Sequence, residues 1–200
     1  MKLPQHFYLR EDVLQISKDL LGKFLVSNID GVITSGLITE TEAYAGHVDR
    51  ASHAYNGRRT QRTEIMYSKG GTAYVYLCYG IHHLFNVVTN RRNIPHAVLI
   101  RAIEPVDGIG TMMARRKKLK FDYTLTTGPG AVSEALAIDV RDTGIRLTGK
   151  KIWIEDRGVK LPATEILSSK RVGVSYAMED ALLLYRFFIK KSPWVSKHPK

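Results

Sequence analysis

One stretch of the chain holds an acidic residue, a histidine and several tyrosines close together in sequence. Glu42 and Tyr44 are followed by His53, and Tyr74 and Tyr76 then repeat the alternate spacing of the first pair. Aromatic rings can enclose a flat ligand, and a carboxylate beside them can take a proton from a water molecule. The combination predicts a pocket for a flat ring with a general base at its side.

Each of these residues also has an ordinary structural explanation. Tyrosines at alternate strand positions, such as Tyr74 and Tyr76, usually pack in a core. Glu40 and Glu42 fit a solvated surface, and a lone histidine such as His53 is more often structural than functional. Their proximity in a basic chain favours the pocket and leaves the structural alternatives open.

The composition predicts one globular domain, residues 1–200, that binds a polyanion. Of 200 residues, 44% are apolar and 24% are charged, and 30 Lys and Arg against 19 Asp and Glu give a net charge of +11. This balance favours nucleic acid as the partner, with an anionic membrane second. Basic runs at 58–59, 91–92 and 115–118 are either a surface that follows phosphates or ordinary solvated faces.

No motif indicates a metal ion, a cofactor or a disulfide framework. Cys78 is the single cysteine, and the seven histidines show no tight ligand spacing. A P-loop, a GxGxxG motif and a nucleophile elbow are also missing from the sequence. The first residues lack the apolar run of a signal peptide, and no apolar run is long enough to span a bilayer. We therefore expect a cytoplasmic protein without a membrane partner.

The candidate glutamates are predicted to lie on a β-hairpin. Strands at 23–29 and 32–44 flank Asp30-Gly31, a strong hairpin signal. The two-residue period of a strand then places Ile38, Glu40 and Glu42 on one face of the second strand.

Further strands and three helices are predicted along the chain, and the short connections favour antiparallel pairing. The strands are at 72–77, 84–89, 97–103, 152–155, 166–174 and 183–189, and the helices at 11–21, 107–119 and 131–137. Tyr79-Gly80 is predicted to reverse the chain between two of these strands. Arg101, inside an apolar strand, needs a specific partner because burying it unpaired is costly.

Taken together, these residues strongly resemble the alkyladenine (3-methyladenine) DNA glycosylase family. The resemblance extends in order over nearly the whole chain and suggests a compact bacterial member. The matching segments are Thr41-Glu42-Ala43-Tyr44, His53, Gly71-Thr72-Ala73-Tyr74-Val75-Tyr76, Tyr79-Gly80, Asn86, Leu99-Ile100-Arg101-Ala102-Ile103-Glu104-Pro105, Thr127-Gly128-Pro129, Arg171-Val172-Gly173-Val174 and Ser192-Pro193-Trp194-Val195-Ser196.

The resemblance implies roles for residues that the pattern alone does not assign. Glu42 would be the general base for a water molecule, and Arg101 would help to hold that water with a main-chain carbonyl from residues 172–174. The flipped base would be sandwiched by three side chains, Tyr44, His53 and Tyr76.

Two further roles follow from the resemblance. Asn86 would crowd the 2-amino group of guanine, and Tyr79 would wedge into the DNA. Ile81, His82 and His83 differ from the human-type pattern at the DNA-facing rim, which bears on the range of lesions.

The expected protein is therefore a monomeric, monofunctional DNA glycosylase of base excision repair. It would act on 3-methyladenine, 7-methylguanine and hypoxanthine in double-stranded DNA, in the bacterial nucleoid and without a cofactor. The expected fold is α+β, a curved antiparallel sheet with an open, barrel-like core flanked by helices. Two rival functions are a module that recognises damaged DNA without cutting it and an N-ribosyl hydrolase for RNA or nucleosides.

Overall fold

A curled, half-barrel sheet of eight antiparallel strands organises the fold. The computed structural model describes residues 1–196. The strands are β1 (Phe24–Ile29), β2 (Val32–Tyr44), β3 (Thr72–Cys78), β4 (His82–Thr89), β5 (His96–Asp107), β6 (Ile152–Glu155), β7 (Ile166–Ser169) and β8 (Arg186–Ile189). The helices are α1 (Gln5–Tyr8), α2 (Val13–Asp19), α3 (Ile109–Arg115) and α4 (Pro129–Ala135). The predicted α+β class and curved antiparallel sheet are confirmed.

The long strand β2 lies at the centre of the sheet. The strand order is β3-β4-β5-β2-β1-β6, and β8 also pairs with β2 and with β7. The first half of β2 pairs with β1, and its second half pairs with β8 on the same edge. Residues at the end of β2 are therefore held between two neighbouring strands.

The two faces of the sheet carry different side chains. One face packs against α2 and α4 in the main hydrophobic core, to which Val75, Phe85 and Val98 belong. On the other face, Tyr74 lies opposite Asn86 in the register. Alternation along β3, β4 and β5 thus separates a packing face from a face that can bind a ligand.

A β-bulge in β2 changes which residues share a face. The register with β5 skips Thr39, so that Ile38 and Glu40 lie on opposite sides of the sheet. Ile38 packs in the main core with Ala43, whereas Glu40 and Glu42 form ion pairs away from it. The prediction that Ile38 shares a face with the two glutamates is therefore wrong, because one extra residue shifts the alternation.

Two of the three predicted helices are shorter in the structure, and the third, predicted at 131–137, lies two residues earlier at Pro129–Ala135. The predicted helix at 107–119 is Ile109–Arg115, because β5 continues to Asp107 and Gly108 then turns the chain with a φ of +72°. Helix α2 begins after Asp12, whose side chain accepts from the N–H groups of residues 14 and 15. The short helix α1 was not predicted.

Two predicted strands are also shorter in the structure. The strand predicted at 166–174 ends at Ser169, and the one predicted at 183–189 begins at Arg186. The chain leaves the sheet after Ser169 and passes beside the end of β2, where its backbone contacts Glu42. That contact explains why the apolar segment at 172–174 does not continue as a strand.

No helix within residues 1–196 is both long enough and apolar enough to cross a membrane.

Candidate active site

Glu42 is fully buried near the end of β2 and is held by three donors. Its Oε1 accepts the backbone N–H of Val172 at 2.7 Å. Its Oε2 accepts the Tyr44 hydroxyl at 2.9 Å and lies 3.2 Å from Nη1 of Arg101. A carboxylate offers about four acceptor positions, so these three donors leave one acceptor position of Glu42 unfilled.

Arg101 reaches this carboxylate from a second bulge. The register between β2 and β5 passes from Ala102 to Ile100, so Arg101 has no partner across the strands. Burial acts to lower the pKa of its guanidinium, but the charges of Glu42 and Glu40 outweigh burial, and the pKa is raised. Arg101 therefore stays positively charged beside Glu42, as its placement in an apolar strand requires.

Six of the seven predicted site residues line one pocket with a volume of about 130 Å³, and the seventh, Glu42, lies behind it. Three neighbours of Glu42, namely Tyr44, Arg101 and Val172, form part of the pocket wall. The predicted residues on the wall are Tyr44, His53, Tyr76, Tyr79, Asn86 and Arg101.

The aromatic wall is built by His53, Tyr74 and Tyr76. The His53 ring meets the edge of Tyr76 at a centroid distance of 4.7 Å, and Tyr74 lies 5.5 Å from Tyr76 with its ring tilted. Nδ1 of His53 is 2.8 Å from the Tyr74 hydroxyl. This hydrogen bond fixes the imidazole, because it restrains rotation about the side-chain bonds.

His53 is neutral at physiological pH. Burial lowers its pKa to about 4, and the positive charges of Arg62 and Arg58 act in the same direction. A neutral imidazole has one donor and one acceptor nitrogen. Since Nδ1 is bonded to Tyr74, Nε2 is the nitrogen available to a bound ring.

The Tyr44 hydroxyl keeps its proton while it contacts Glu42. Burial, and then the charge of Glu42, raise the pKa of its hydroxyl well above the ordinary value. The hydroxyl therefore donates to Glu42, and the ring is left to face the pocket. The guanidinium of Arg171 lies 4.9 Å from the centre of the same ring.

Asn86 is buried in β4 on the ligand-binding face of the sheet. Its Nδ2 donates to the carbonyls of Tyr74 and Leu84, both at 3.2 Å. These two bonds hold the amide rigidly against the pocket. A rigid polar side chain at this position can exclude a ligand that carries an extra substituent.

Tyr79 stands at the tip of the β3–β4 hairpin, with 89% of its surface exposed. Both Tyr79 and Gly80 have positive φ, +51° and +72°, and the N–H of Ile81 donates to the carbonyl of Cys78 at 3.1 Å. Positive φ at both central residues and this hydrogen bond are features of a type I′ turn, and three residues separate the paired Cys78 and His82. The turn presents an aromatic ring to solvent at the edge of the pocket.

Several residues of this site were not predicted as site residues. Tyr74 is one of them, because the resemblance gives it no role, although it belongs to the tyrosine pattern that predicts the pocket. Tyr176 lines the pocket and donates its hydroxyl to the carbonyl of Ala51 at 3.1 Å. The backbone N–H of Val172 gave no signal, because its segment was predicted as a strand.

Residues 172–174 do line the pocket. The carbonyl expected from this stretch remains a prediction, since the contact with Glu42 is made by an N–H group. The loop is anchored by the buried Arg171, which makes two hydrogen bonds to Asp49 and one to the carbonyl of Ala43.

The basic runs differ in what their side chains contact. Arg59 is paired with Glu64 and stacks on Tyr67, and Arg116 is paired with Glu134. The positive charge of Arg58 contributes to the lowered pKa of His53, so this run acts electrostatically on one residue of the pocket wall.

Comparison with known proteins places the chain beside DNA glycosylases. Residues 6–193 match the model of a family described as methylpurine-DNA glycosylase. A protein of Chlamydia felis is 50% identical over 95% of this chain and 98% of its own. Proteins of Clostridium acetobutylicum and Bacillus cytotoxicus are 46% and 44% identical, each over 98% of this chain and at least 98% of their own. All three carry the provisional name 3-methyladenine DNA glycosylase.

The fold, the pocket and these matches define a DNA glycosylase, an enzyme of base excision repair. Because the family model matches residues 6–193, the chain can also be assigned to one family of these enzymes. The chain belongs to the methylpurine-DNA glycosylase family.

Proposed function

We propose that the enzyme hydrolyses the N-glycosidic bond of alkylated or deaminated purines in duplex DNA. The substrates would be 3-methyladenine, 7-methylguanine and hypoxanthine, and water activated by Glu42 would be the nucleophile. The observation that carries the proposal is a buried carboxylate with one free acceptor position beside an aromatic pocket. The chain would act as one monomeric domain on nucleoid DNA in the bacterial cytoplasm.

The first step would be extrusion of the damaged nucleotide, because the glycosidic bond is inaccessible in a stacked duplex. Tyr79 is exposed at a hairpin tip that also borders the pocket. Its ring would enter the gap that the nucleotide leaves and keep the duplex open.

The pocket would then hold the base between aromatic rings. Electron-rich faces such as those of Tyr44 and Tyr76 attract the positive charge of an alkylated purine, by about 0.5–2 kcal/mol. The neutral His53 adds no opposing charge and can donate from Nε2 to the substituent at position 6 of the purine.

Hydrolysis would follow on the side of the pocket where Tyr44, Arg101 and Val172 separate it from Glu42. The oxygen of a water molecule would form the new bond to the sugar carbon as the bond to the base nitrogen breaks. Glu42 would take the proton from the water, and Arg101 would hold the reacting groups in place. Of the residues 1–196 that line the pocket, none is a lysine, which supports water over an amine as the nucleophile.

The test is release of free 3-methyladenine from methylated duplex DNA. We expect free base and abasic sites, with strand breaks only after alkali. Tight binding of damaged DNA without release would favour the recognition module, and strand cleavage without alkali would favour an amine nucleophile. Release from nucleosides or RNA at the same rate would favour the N-ribosyl hydrolase.

A further inference from the structure

Glu40 is a second buried carboxylate, and the proposed reaction does not use it directly. Its Oε1 accepts from Nε of Arg101 at 2.8 Å, Nε of Arg186 at 2.7 Å and the Ser196 hydroxyl at 2.9 Å. Its Oε2 accepts the backbone N–H of Ser196 at 2.6 Å. All four residues are buried, so these bonds form away from solvent.

The charges of this buried network balance. Glu40 and Glu42 face Arg101 and Arg186, so two negative charges meet two positive ones. A buried charge without a partner is strongly destabilising, so neither Glu40 nor an arginine could be neutralised alone without a large cost. Ser196 is a neutral member of the network that bonds to both Glu40 and Arg101, and its side chain can be altered with the charges kept.

The same contacts fix the orientation of Arg101. Its Nε is bonded to Glu40, and its Nη2 donates to the Ser196 hydroxyl at 3.1 Å. The third nitrogen, Nη1, lies 3.2 Å from Glu42. Because the guanidinium is planar and rigid, fixing two of its nitrogens also fixes the third.

We propose that Glu40 and Ser196 are positioning residues, which hold Arg101 so that Nη1 points at Glu42 and at the water it activates. This inference rests on the function proposed above for Glu42 and Arg101. Ser196 is held in turn by Arg186, which donates to its backbone carbonyl. Ser196 therefore completes the active site, although neither Glu40 nor Ser196 lines the pocket.

The decisive variant is Ser196→Ala, which removes one hydroxyl and keeps the backbone N–H bond to Glu40. We expect the single-turnover rate of hypoxanthine excision to fall by about 10- to 100-fold, as a small misplacement of a catalytic group produces. Affinity for damaged DNA should stay unchanged, because Ser196 is buried away from the pocket wall.

Ser192→Ala is the matched control. It makes the same change in the same segment, but the Ser192 hydroxyl only accepts from the N–H of Trp194 at 3.2 Å. Its excision rate should equal that of the unaltered enzyme. Equal rates for Ser192→Ala and Ser196→Ala would overturn the proposal.

A double-mutant cycle separates positioning from general support of the fold. Arg101→Lys keeps the charge but cannot make the planar fork. If Ser196 acts through Arg101, Ser196→Ala should cause no further loss of rate in the Arg101→Lys background. Full additivity of the two losses would overturn the proposal, because Ser196 would then act by another route.

The same assay distinguishes failure of this inference from failure of the proposed function. If the unaltered enzyme releases no base, the proposed function fails. If the unaltered enzyme, Ser192→Ala and Ser196→Ala all release base at the same rate, the proposed function stands. Only the positioning role of Ser196 then fails.

Discussion

Glu42 is suited to be a general base because its hydrogen bonds fix the carboxylate and still leave one acceptor position unfilled. Three donors hold the carboxylate, and they come from β2 itself, from β5 and from the loop after β7. Three separate segments must therefore fold correctly before the carboxylate is held with one acceptor position unfilled. This requirement makes the residue a sensitive probe of the mechanism.

Replacing Glu42 with Gln should abolish most excision and spare binding. The amide keeps the size of the side chain but cannot accept a proton from water, and loss of a general base typically costs about 10²–10⁴-fold in rate. Single-turnover excision of hypoxanthine measures the loss, and a binding titration checks affinity. The exposed Glu104→Gln serves as the control. A rate for Glu42→Gln close to that of the control would remove Glu42 from the role of base.

Replacing Asn86 with Ser should relax the exclusion of guanine. Guanine differs from hypoxanthine by its 2-amino group, and a rigid neighbour that crowds this group costs about 1–3 kcal/mol. We expect measurable release of mismatched guanine, since a mispaired base is easier to flip. Hypoxanthine release should change much less. Equal losses on both bases in matched duplexes would mean that Asn86 supports the strand and does not filter bases.

The depressed pKa of His53 predicts a pH-dependent stability. Its pKa is about 4 in the folded protein and about 6.5 when unfolded, so the unfolded chain binds more protons between these values. Stability is therefore lost as the pH falls from about 6.5 towards 4, by roughly 1–2 kcal/mol at pH 5. Above about pH 6.5 His53 is neutral in both states, so it adds no further pH dependence to the free energy of unfolding.

Urea unfolding at pH 7 and pH 5 measures this loss. His53→Gln should lose less stability than the unaltered protein between the two pH values, because other titrating groups such as His96 are common to both proteins. An identical loss in both proteins would show that His53 titrates normally.

At the scale of elements, bulges and turns place the functional side chains. The bulge at Thr39 turns Glu40 and Glu42 away from the core, and the bulge at Arg101 frees that arginine to meet them. The hairpin turn at Tyr79 and Gly80 gives the exposed ring its position. Regular strands alone would not have produced this geometry.

The turn predicts opposite effects on stability and activity for Tyr79→Asn. Asn adopts positive φ far more readily than a bulky residue, so the strain at +51° should be relieved. We expect the melting temperature to rise by about 1–4 °C, the range for up to 1 kcal/mol in a chain of this size. Excision should slow, because the wedge is lost.

Thermal unfolding and single-turnover excision test the two effects together. Tyr79→Phe is the control, since it keeps the ring and the strain. A variant Tyr79→Asn that excises as fast as Tyr79→Phe would show that the ring is not needed to hold the flipped state.

Much of the element pattern could be predicted from the sequence, and the exceptions have physical causes. The hairpin at Asp30-Gly31 and the turn at Tyr79-Gly80 carry strong local signals, and both form as predicted. The bulge at Thr39 could not be predicted, since it depends on how β2 registers with a distant strand. The loop at 172–174 was missed for a similar reason, because a buried carboxylate far away in sequence draws it from the sheet.

For the site, the type of residue carried more information than its spacing. Six of the seven predicted site residues line one pocket, and the roles that the resemblance implies for them stay predictions. Glu40 gave no signal of its own in the sequence, because a buried glutamate and an exposed one look alike there. Its partner Ser196 lies 156 residues away, which no local pattern can connect.

At the scale of the whole molecule, the net charge of +11 should govern how the enzyme meets DNA. Non-specific affinity should fall linearly with salt on logarithmic axes, with a slope of about −0.9 for each phosphate contact. Arg58→Gln should make the slope shallower by about 0.9, the value for one phosphate contact, because Arg58 is exposed and its charge acts on His53 in the pocket wall.

Salt titrations of duplex binding measure both slopes. Lys160→Gln removes one charge from an exposed residue outside the pocket wall and should leave the slope unchanged. Equal slopes for the two variants would mean that Arg58 does not contact phosphate, and an affinity independent of salt would contradict the electrostatic account altogether.

The bond between Glu40 and Ser196 also determines when the enzyme can first work during its own synthesis. The two residues are 156 positions apart. At 5–20 residues per second, a ribosome adds Ser196 roughly 8–30 s after Glu40. Once Tyr176 has been added, every residue of the pocket wall is present, but Arg101 still lacks one of the groups proposed to orient it. We therefore expect a chain that ends between Tyr176 and Ser196 to enclose a damaged base without cutting it efficiently, so that hydrolysis is delayed until Ser196 has been added.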